Sequence, residues 1–283
     1  MSIEYLSKNS LKKFKNKLLV VKFGGSLLKN KKNKESFLQD IAYLKNKGIN
    51  LILVHGGGPL ISSSLNNLNI KTKFINGLRF TDEKTIEVAE MVLSGKINKN
   101  LTSSLCNLNV KAIGISGTDC NLIKAKKKYT FNSNKKISLG FVGEVEKINT
   151  DILKELVNLE YVPVISPIGC DAKGQHYNIN ADYAASAISS SLKADKLIFA
   201  TDVDGIYLDI KDKKSIIKSI TVDEINTYIE KNIISGGMIP KIKCCIKSLK
   251  YGTKNVSLIN GTEEHSLLKN IFENKSYTTI LKN

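Results

Sequence analysis

The sequence predicts an α/β protein, a three-layer α/β/α sandwich with a mainly parallel central sheet. Short apolar runs alternate along the chain with stretches of helical periodicity, and strands that alternate with helices form parallel βαβ units. Three of the apolar runs end in a glycine turn, in "KFGGS", "VHGGGP" and "ISGTD". No Pro/Ser-rich linker, repeat or low-complexity tract interrupts the pattern. The helices are therefore expected on both faces of one sheet.

The elements of the first half follow from hydrophobic period and from turn residues. Apolar runs predict buried strands, and spacings of three and four predict helices. In order, these are a strand at 17–23, a helix at 35–47, a strand at 50–55, a helix from Pro59, a long helix with apolar positions from Ile86 to Leu105, a strand at 110–116 and a hairpin within 124–146. Pro59 suits the first turn of its helix, because its missing N–H would have no intrahelical partner there. Thr81 is expected to cap the long helix.

The second half continues the alternation. The predicted elements are a helix at 150–159, a strand at 161–169, a helix rich in small residues from 178, a strand and turn at 195–207, a helix from 221 to about 233, a helix after 236–240, a strand at 255–261, a helix at 263–273 and a last strand at 277–281. The helix at 221 opens with the capping-box pattern "TVDE". We place a lobe boundary within 175–195, which gives an N-terminal lobe at 1–180 and a C-terminal lobe at 181–283.

Composition predicts a cytoplasmic globular protein. Of its 283 residues 42% are hydrophobic, no apolar run reaches the roughly 18 residues that span a membrane, and the N-terminus lacks the apolar core of a signal peptide. The five cysteines have no CxxC pair and are expected to be free thiols.

A formal net charge of +17 could indicate a nucleic-acid partner. However, the lysines are scattered and no aromatic residues interleave with them, so we prefer a solvated Lys-rich surface with no nucleic-acid partner.

The glycine turns are candidate anion sites. Without a Cβ, the backbone N–H groups of a turn can approach an anion, and a following helix adds the positive end of its dipole. Ligands of open α/β sheets bind at the carboxyl ends of the strands, where all three turns are expected. A lone glycine turn is usually only a turn, so it is the set of three that favours a ligand. The sequence has neither GxxxxGK[ST] nor GxGxxG, so neither a P-loop enzyme nor an ordinary dinucleotide-binding enzyme is indicated.

Three charged residues stand where a ligand would explain them. Lys22 lies in an apolar strand just before the first glycine turn, where an ammonium group is costly unless an anion meets it or it extends to the surface. Lys241 lies at a helix start, which cations usually avoid. Asp182 also lies at a helix start, where it could favour the helix or hold the two lysines in place. Nearby, Asn178 and Asn180 could donate to an anionic substrate or terminate a turn.

Arg79 is the single arginine among the 43 Lys and Arg residues. Lys replaces Arg at most exposed sites, but not where a planar carboxylate takes two parallel hydrogen bonds from one side chain. The isolated arginine in "NGLRFT" therefore indicates either a carboxylate ligand or an ordinary ion pair.

The sequence shows no metal-binding or nucleophile-elbow pattern. His176 and His265 have no companion at metal-ligand spacing, and GxSxG does not occur. His55 adjoins a glycine turn and is interpreted as a residue that flanks it. No protein-held metal is predicted.

Six motifs, taken in order, resemble the amino acid kinase family: "VVKFGGS", "LVHGGGP", "NGLRFT", "NINADYAA", "TDVDGIY" and "GGMIPK". The match runs from about residue 17 to 281, and its specific part is the combination of the third, fourth and sixth motifs. Within the family, the chain is most similar to members that phosphorylate N-acetyl-L-glutamate in arginine biosynthesis. The resemblance implies an N-terminal lobe that binds acetylglutamate and a C-terminal lobe that binds ATP, with Mg²⁺ carried mainly by the phosphates.

The resemblance also implies roles for individual residues. Lys22 and Lys241 would neutralise the transferring phosphoryl group, and Asp182 would orient both lysines. Arg79 and Asn178 would bind the α-carboxylate of the substrate. Backbone N–H groups would meet the phosphoryl group and the substrate at Gly24, Gly25, Gly57 and Gly58. The nucleotide would lie along Asp202, Val203, Gly205, Tyr207, Gly236, Gly237 and Met238.

This chain departs from the family's pattern in two features. Arginine-inhibited members resemble one another in an N-terminal helix that links hexamers and in a C-terminal His-x-Leu-Leu-x-Glu stretch followed by glycines. This chain keeps the histidine and both leucines, but it has Asn270 in place of the acid and Ser276 and Thr278 in place of glycines. Segment 4–17 matches the N-terminal helix only weakly. The resemblance therefore implies at least a homodimer and leaves the hexamer and arginine inhibition open.

Three other interpretations remain open at this point. A sister kinase of the family phosphorylates aminoadipate carried on an acidic protein, and a +17 surface would suit that carrier. A non-catalytic ligand sensor on the same fold is the second, although Lys22, Asp182 and Lys241 argue against it. A nucleic-acid-binding protein is the third, and salt-dependent binding to DNA or RNA would test it.

Overall fold

The computed structural model describes residues 14–132, 135–209, 211–272 and 278–282. The strands of this part, in chain order, are β1 (Leu18–Phe23), β2 (Asn50–His55), β3 (Phe74–Ile75), β4 (Leu78–Arg79), β5 (Ala112–Ser116), β6 (Ile123–Asn132), β7 (Lys135–Ile148), β8 (Val162–Ser166), β9 (Ile168–Cys170), β10 (His176–Ile179), β11 (Lys196–Thr201), β12 (Ser219–Thr221), β13 (Val256–Asn260) and β14 (Thr278–Lys282). The helices are α1 (Lys31–Asn46), α2 (Gly58–Asn67), α3 (Glu83–Glu90), α4 (Asn98–Cys106), α5 (Thr150–Asn158), α6 (Ala181–Ser191), α7 (Val222–Glu230), α8 (Met238–Lys250) and α9 (Ser266–Phe272).

Eight strands form the central sheet in the order β12-β14-β13-β11-β1-β2-β8-β5. Neighbours are parallel throughout, except that β14 runs antiparallel to β13. A second unit joins β10, β7, β6 and β9 into a closed ring, and β3 with β4 forms a small hairpin. The predicted α/β/α sandwich with a mainly parallel sheet is confirmed.

The apolar residues of the sheet divide by face, as a period of two requires. On β1, Leu19, Val21 and Phe23 belong to one buried cluster, whereas Val20 belongs to the other. Both clusters combine residues from before and after residue 180. The two proposed lobes therefore share one sheet and do not have separate cores, and their boundary remains a prediction about ligand binding.

Most predicted elements occur close to their predicted bounds, and the capping box of α7 is formed by Thr221 and Glu224. The strand predicted at 161–169 is instead divided at Pro167 into β8 and β9. The small-residue helix begins at Ala181 rather than at 178, because the preceding residues pair in β10. Segment 4–17, which matches the family's N-terminal helix only weakly, lies mostly outside the described residues, and Ser276 lies outside them.

The long helix predicted after Arg79 differs from its prediction in two ways. Thr81 does not cap it; Asp82 does, by accepting from the Thr85 N–H, because the Thr81 hydroxyl donates to the Arg79 carbonyl instead. In addition, a π-helical segment at Met91–Ile97 separates α3 from α4. A π turn shifts the register of the side chains that follow it, and periodicity alone does not reveal such a change.

All five cysteines are free thiols, as predicted. No helix within the described ranges is both long and apolar enough to cross a membrane.

Candidate active site

The first two glycine turns border a cavity of about 360 Å³ at the carboxyl ends of β1 and β2. Its wall includes candidates from separate parts of the chain: Lys22, Gly25, Gly57, Gly58, Arg79, Asn178 and Asp182. These residues come together because parallel strands present their carboxyl ends at the same edge of a sheet. We refer to this space as the substrate cavity.

Lys22, Asp182 and Lys241 form a charged triad beside this cavity. The Nζ of Lys22 lies 2.9 Å from Oδ1 of Asp182, and the Nζ of Lys241 lies 2.8 Å from Oδ2. Helix α6 is capped by the side chain of Asn180, which accepts from the Asp182 N–H at 2.8 Å. The carboxylate of Asp182 is therefore left to hold the two lysines, one from β1 and the other from the first turn of α8.

The two lysines keep the carboxyl group of Asp182 ionised. Burial alone would raise the pKa of Asp182, but the charges and hydrogen bonds of Lys22 and Lys241 outweigh it and lower that pKa to about 2. For Lys22, burial lowers the pKa, Asp182 opposes this, and the nearby charge of Lys241 adds to the lowering. An ionised carboxylate thus holds two cations together in a poorly solvated place, where they can stabilise further negative charge.

The backbone at the two glycine turns leaves a cradle for an anion. A Cβ added at Gly25 would lie 2.8 Å from the N of Gly57 and 3.1 Å from the N of Gly58. Gly57 precedes α2 and has no side-chain cap, and the first N–H groups of a helix have no intrahelical partner. The missing side chain of Gly25 is therefore what keeps the space in front of these N–H groups open.

We expect Gly25→Ala to lower kcat/KM by about 100-fold or more, because the new methyl group fills the cradle and forces the two turns apart. Steady-state kinetics and thermal unfolding would be measured together. Gly95→Ala is the control, since a Cβ at this position meets nothing within 4 Å. Full activity in the Gly25 variant would contradict an anion-binding role for the cradle.

Two predicted glycine contributions differ in the structure. The N–H of Gly24 donates to the carbonyl of Ala200 at 3.1 Å, so the phosphate role proposed for this turn rests on Gly25. The third turn lies at the same sheet edge, but a Cβ on Gly117 would meet the carbonyl of Ile168 at 2.3 Å. That turn therefore packs against β9, and Gly117 does not line the substrate cavity.

Arg79 is buried with one nitrogen lacking a partner. Its Nη2 donates to the carbonyl of Gly58 at 3.0 Å and to the hydroxyl of Ser62 at 2.7 Å, while Nη1 has no hydrogen-bond partner. The ring of Phe74 lies 4.8 Å from the guanidinium carbon. Within the described chain no carboxylate lies in ion-pair range of Arg79, so the structural ion pair considered from the sequence is not found there. A guanidinium that is held on one side and unpaired on the other can bind an external carboxylate.

Ser62 and Phe74 were not identified from the sequence. Ser62 lies one helical turn after Gly58 on α2, and this spacing is the signal that would have placed Ser62 beside the second glycine turn. Phe74 lies opposite Arg79 in the β3–β4 hairpin, and its role depends on that pairing.

Asn178 lies on β10 and lines the substrate cavity. Its Nδ2 is 3.4 Å from the Thr81 hydroxyl, a long contact that leaves the amide able to serve a ligand. Asn180 lines the same cavity, but its side-chain oxygen is occupied in capping α6.

A second cavity, of about 500 Å³, lies along the loop after β11. Of the predicted nucleotide residues it is lined by Asp202, Val203, Gly205, Tyr207 and Met238. Gly236 and Gly237 lie just before α8; the first has a φ of +54°, and the second is the residue that precedes the helix. Lys22 and Asp182 line the substrate cavity, and Lys241 lies one turn after Met238, which lines the second cavity. The triad therefore lies between the two cavities.

His55 belongs to the support of the site. It is fully buried, with Nδ1 3.1 Å from the Gly56 carbonyl and Nε2 3.3 Å from Nδ2 of Asn98. Burial lowers the pKa of His55 to about 4, although the Gly56 carbonyl acts in the opposite direction. The neutral ring thus connects the second glycine turn to α4.

We expect this histidine to make the fold sensitive to mild acid. The unfolded ring has a pKa near 6.5, so between about pH 6.5 and 4 the unfolded chain binds a proton that the folded chain excludes. Stability should fall over this interval by about 1.4 kcal/mol per pH unit, and about 3 kcal/mol in all. Urea unfolding at several pH values would show a shallower pH dependence in His55→Gln, and His176→Gln serves as control. Equal pH dependence in wild type and His55→Gln would contradict a buried neutral ring.

The arrangement is suited to transferring a phosphoryl group onto a carboxylate. It combines an anion cradle, two cations on one carboxylate, a free guanidinium and an adjoining second cavity. In the described segments, no three His, Cys, Asp or Glu side chains are grouped to hold a metal ion.

An α/β fold with this site defines a class of phosphotransferases, and comparison with known proteins agrees. The profile of the amino acid kinase family matches residues 17–260, and the chain belongs to this family. It is 51% identical over 263 residues to the acetylglutamate kinase of Clostridium acetobutylicum, covering 93% of this chain and 89% of that protein. It is 44% identical to the acetylglutamate kinase of Heliobacterium modesticaldum, covering 96% and 94%.

Solved structures share the fold at low identity. N-acetylglutamate synthase from Neisseria gonorrhoeae, complexed with coenzyme A and N-acetyl-glutamate, superposes with a TM-score of 0.83 at 22% identity. The match covers 97% of this chain but 61% of the synthase, so the chain spans about three fifths of that protein. Carbamate kinase from Giardia lamblia gives a TM-score of 0.69 at 16% identity, with 95% and 99% covered.

Proposed function

We propose that the protein phosphorylates the side-chain carboxylate of N-acetyl-L-glutamate with ATP, giving N-acetylglutamyl 5-phosphate, an intermediate on the route to arginine. The observation that carries this proposal is the buried Nη1 of Arg79, which has no hydrogen-bond partner and belongs to a residue that lines the same cavity as Lys22 and Asp182. A substrate with two carboxylates would meet a guanidinium at one end and the triad at the other. The names of the relatives support acetylglutamate as that substrate.

The cavity wall also favours an acylated amine over a free one. Leu93, Val142 and Pro167 contribute apolar surface to it. A free glutamate would bring an ammonium group beside that surface, which costs desolvation without a partner. An acetylated nitrogen is neutral and adds a methyl group that this surface can bury.

In the reaction, one oxygen of the side-chain carboxylate attacks the γ-phosphorus of ATP. The new O–P bond forms as the bond to the β–γ bridging oxygen breaks, and ADP leaves with that electron pair. No general base is required, because the nucleophile is already ionised. Lys22, Lys241 and the N–H groups of Gly57 and Gly58 would stabilise the charge on the phosphoryl oxygens, while Asp182 holds the lysines in position.

ATP would lie in the second cavity, so that the lobes at 1–180 and 181–283 would bind acetylglutamate and nucleotide respectively. Mg²⁺ would arrive on the ATP phosphates, and we assign no residue to it. We also expect at least a homodimer.

ADP release from Mg·ATP tests the proposal against its nearest rival. Purified protein would be assayed with N-acetylglutamate, glutamate, aspartate and aminoadipate, and with a carrier protein that bears aminoadipate. Release with N-acetylglutamate alone among these is the expected result. ADP release that requires the carrier would instead identify the protein as the sister kinase. No ADP release with any of these substrates would favour a ligand sensor.

A further inference from the structure

A third cavity lies away from the candidate active site, between the β6–β7 hairpin and helices α6 and α8. Its volume is about 570 Å³, within the roughly 300–1,000 Å³ typical of small-ligand sites. We refer to it as the hairpin groove. Its wall carries four lysines and two glutamates, which are Lys126, Lys128, Lys147, Lys247, Glu144 and Glu146.

The charges of the hairpin groove are not balanced. Glu144 is paired with Lys126 at 3.1 Å, and Glu146 is paired with Lys124 at 3.2 Å. The three remaining lysines, Lys128, Lys147 and Lys247, have no carboxylate within 4.0 Å among the residues that the structure describes. They come from β6, β7 and α8, so three separate elements each contribute an unpaired lysine to the wall of one groove.

Lys128 is the member of this group least exposed to water. Its Nζ lies 4.1 Å from the centre of the Tyr183 ring. Burial lowers the pKa of Lys128, and the charge of Lys247 lowers it further against the opposite effect of Glu144. Two like charges that affect each other in a partly desolvated groove are unfavourable unless an anion joins them.

From this geometry we propose that the hairpin groove binds a small polyphosphate anion at Lys128, Lys147 and Lys247. A chain of two or three phosphates can contact all three ammonium groups, whereas a single carboxylate cannot. Inorganic polyphosphate and a nucleoside polyphosphate share this chemistry. The rings of Tyr183 and Tyr251 on the groove wall offer an additional surface to the second.

The hairpin groove is formed in part by the two helices that carry Asp182 and Lys241 of the charged triad. Tyr183 directly follows Asp182 on α6, and the Ser186 hydroxyl on the same helix donates to the Cys244 carbonyl of α8 at 2.9 Å. Lys241 lies one turn earlier on α8. A bound anion would therefore rest on the two helices that carry Asp182 and Lys241.

Calorimetric titration with inorganic tripolyphosphate tests the site in the full chain, with the second cavity first saturated by Mg·AMP-PNP. Wild type should show one additional site. Lys128→Gln combined with Lys247→Gln should raise the Kd at least about tenfold, and Lys247→Gln alone about threefold. The matched control combines Lys71→Gln with Lys84→Gln, which removes the same charge from exposed positions outside the groove and should leave the Kd nearly unchanged.

A second titration, with CTP, distinguishes nucleoside polyphosphates from inorganic polyphosphate as the ligand. Tighter binding of CTP than of tripolyphosphate would assign the groove to nucleotides. Equal binding of the two would assign it to inorganic polyphosphate. Absence of binding in wild type would overturn the proposal. Equal weakening in the groove and control double variants would overturn it as well, since this would reflect net charge and not a site.

Discussion

Asp182→Asn is expected to lower kcat by about three orders of magnitude while changing the KM for acetylglutamate only a few-fold. The carboxylate of Asp182 holds Lys22 and Lys241 at 2.9 and 2.8 Å, and its pKa of about 2 keeps it ionised at any working pH. An amide of the same shape leaves the ammonium groups of Lys22 and Lys241 without a counter-charge, so they move apart. Their separation removes the concentrated positive charge that the transferring phosphoryl group needs.

The chain supplies a close control for this substitution. Asp195 also lies between two lysines, with Lys17 at 3.4 Å and Lys254 at 2.8 Å, but it accepts from Leu18 at the amino end of β1. Asp195→Asn should reduce stability and leave kcat near that of wild type. Steady-state kinetics and thermal unfolding of both variants would separate the two effects. A similar loss of kcat in both would mean that Asp182 acts only through the stability of the fold.

The second large effect is expected for Arg79→Lys, which should raise the KM for acetylglutamate about 10- to 100-fold. A lysine offers no planar pair of donors, and it cannot keep the contacts with Gly58 and Ser62 while also reaching a substrate carboxylate. The KM for ATP should change little, because the nucleotide occupies the other cavity. Initial rates at varied concentrations of each substrate would measure both values.

Ser62→Ala tests the same assignment more gently. This variant removes one partner of Nη2 but leaves Nη1 free for the ligand, so the KM for acetylglutamate should rise less than in Arg79→Lys. Equal changes in the KM for ATP and for acetylglutamate in the arginine variant would rule out the carboxylate assignment.

Much of the site could be predicted from the sequence because it depends on local patterns. Lys22 precedes a glycine turn at the end of an apolar strand, and Lys241 and Asp182 lie at helix starts that small residues mark. Since parallel strands end at a common edge, such positions meet whatever the details of packing.

The features that the sequence did not reveal depend on contacts between distant segments. Ser62 and Phe74 surround Arg79 through α2 and the β3–β4 hairpin, and no spacing rule connects them to it. The π segment brings Leu93 and Ile97 to 2.6 and 2.5 Å from the position of a Cβ on Gly57. A side chain at this position would therefore have to displace the ends of these two side chains.

Competition between neighbouring groups explains two further differences. Thr81 and Asp82 can both cap a helix. Because the Thr81 hydroxyl donates to the Arg79 carbonyl, Asp82 is the residue that caps α3. Gly24 and Gly25 look alike in sequence, but the neighbouring strand β11 occupies the N–H of Gly24. The residue type shows which positions could cap the helix or offer a free N–H group. Hydrogen bonds between distant segments decide which of these positions does so.

Trapping of the product with hydroxylamine is the most direct test of the central proposal, that this site phosphorylates the side-chain carboxylate of N-acetyl-L-glutamate. An acyl phosphate reacts with hydroxylamine to give a hydroxamate and release phosphate. The proposal predicts hydroxamate in amounts equal to the ADP formed from Mg·ATP and N-acetylglutamate, and almost none with Asp182→Asn. ADP formed without hydroxamate would contradict it, because ATP would then be hydrolysed and not used to activate a carboxylate.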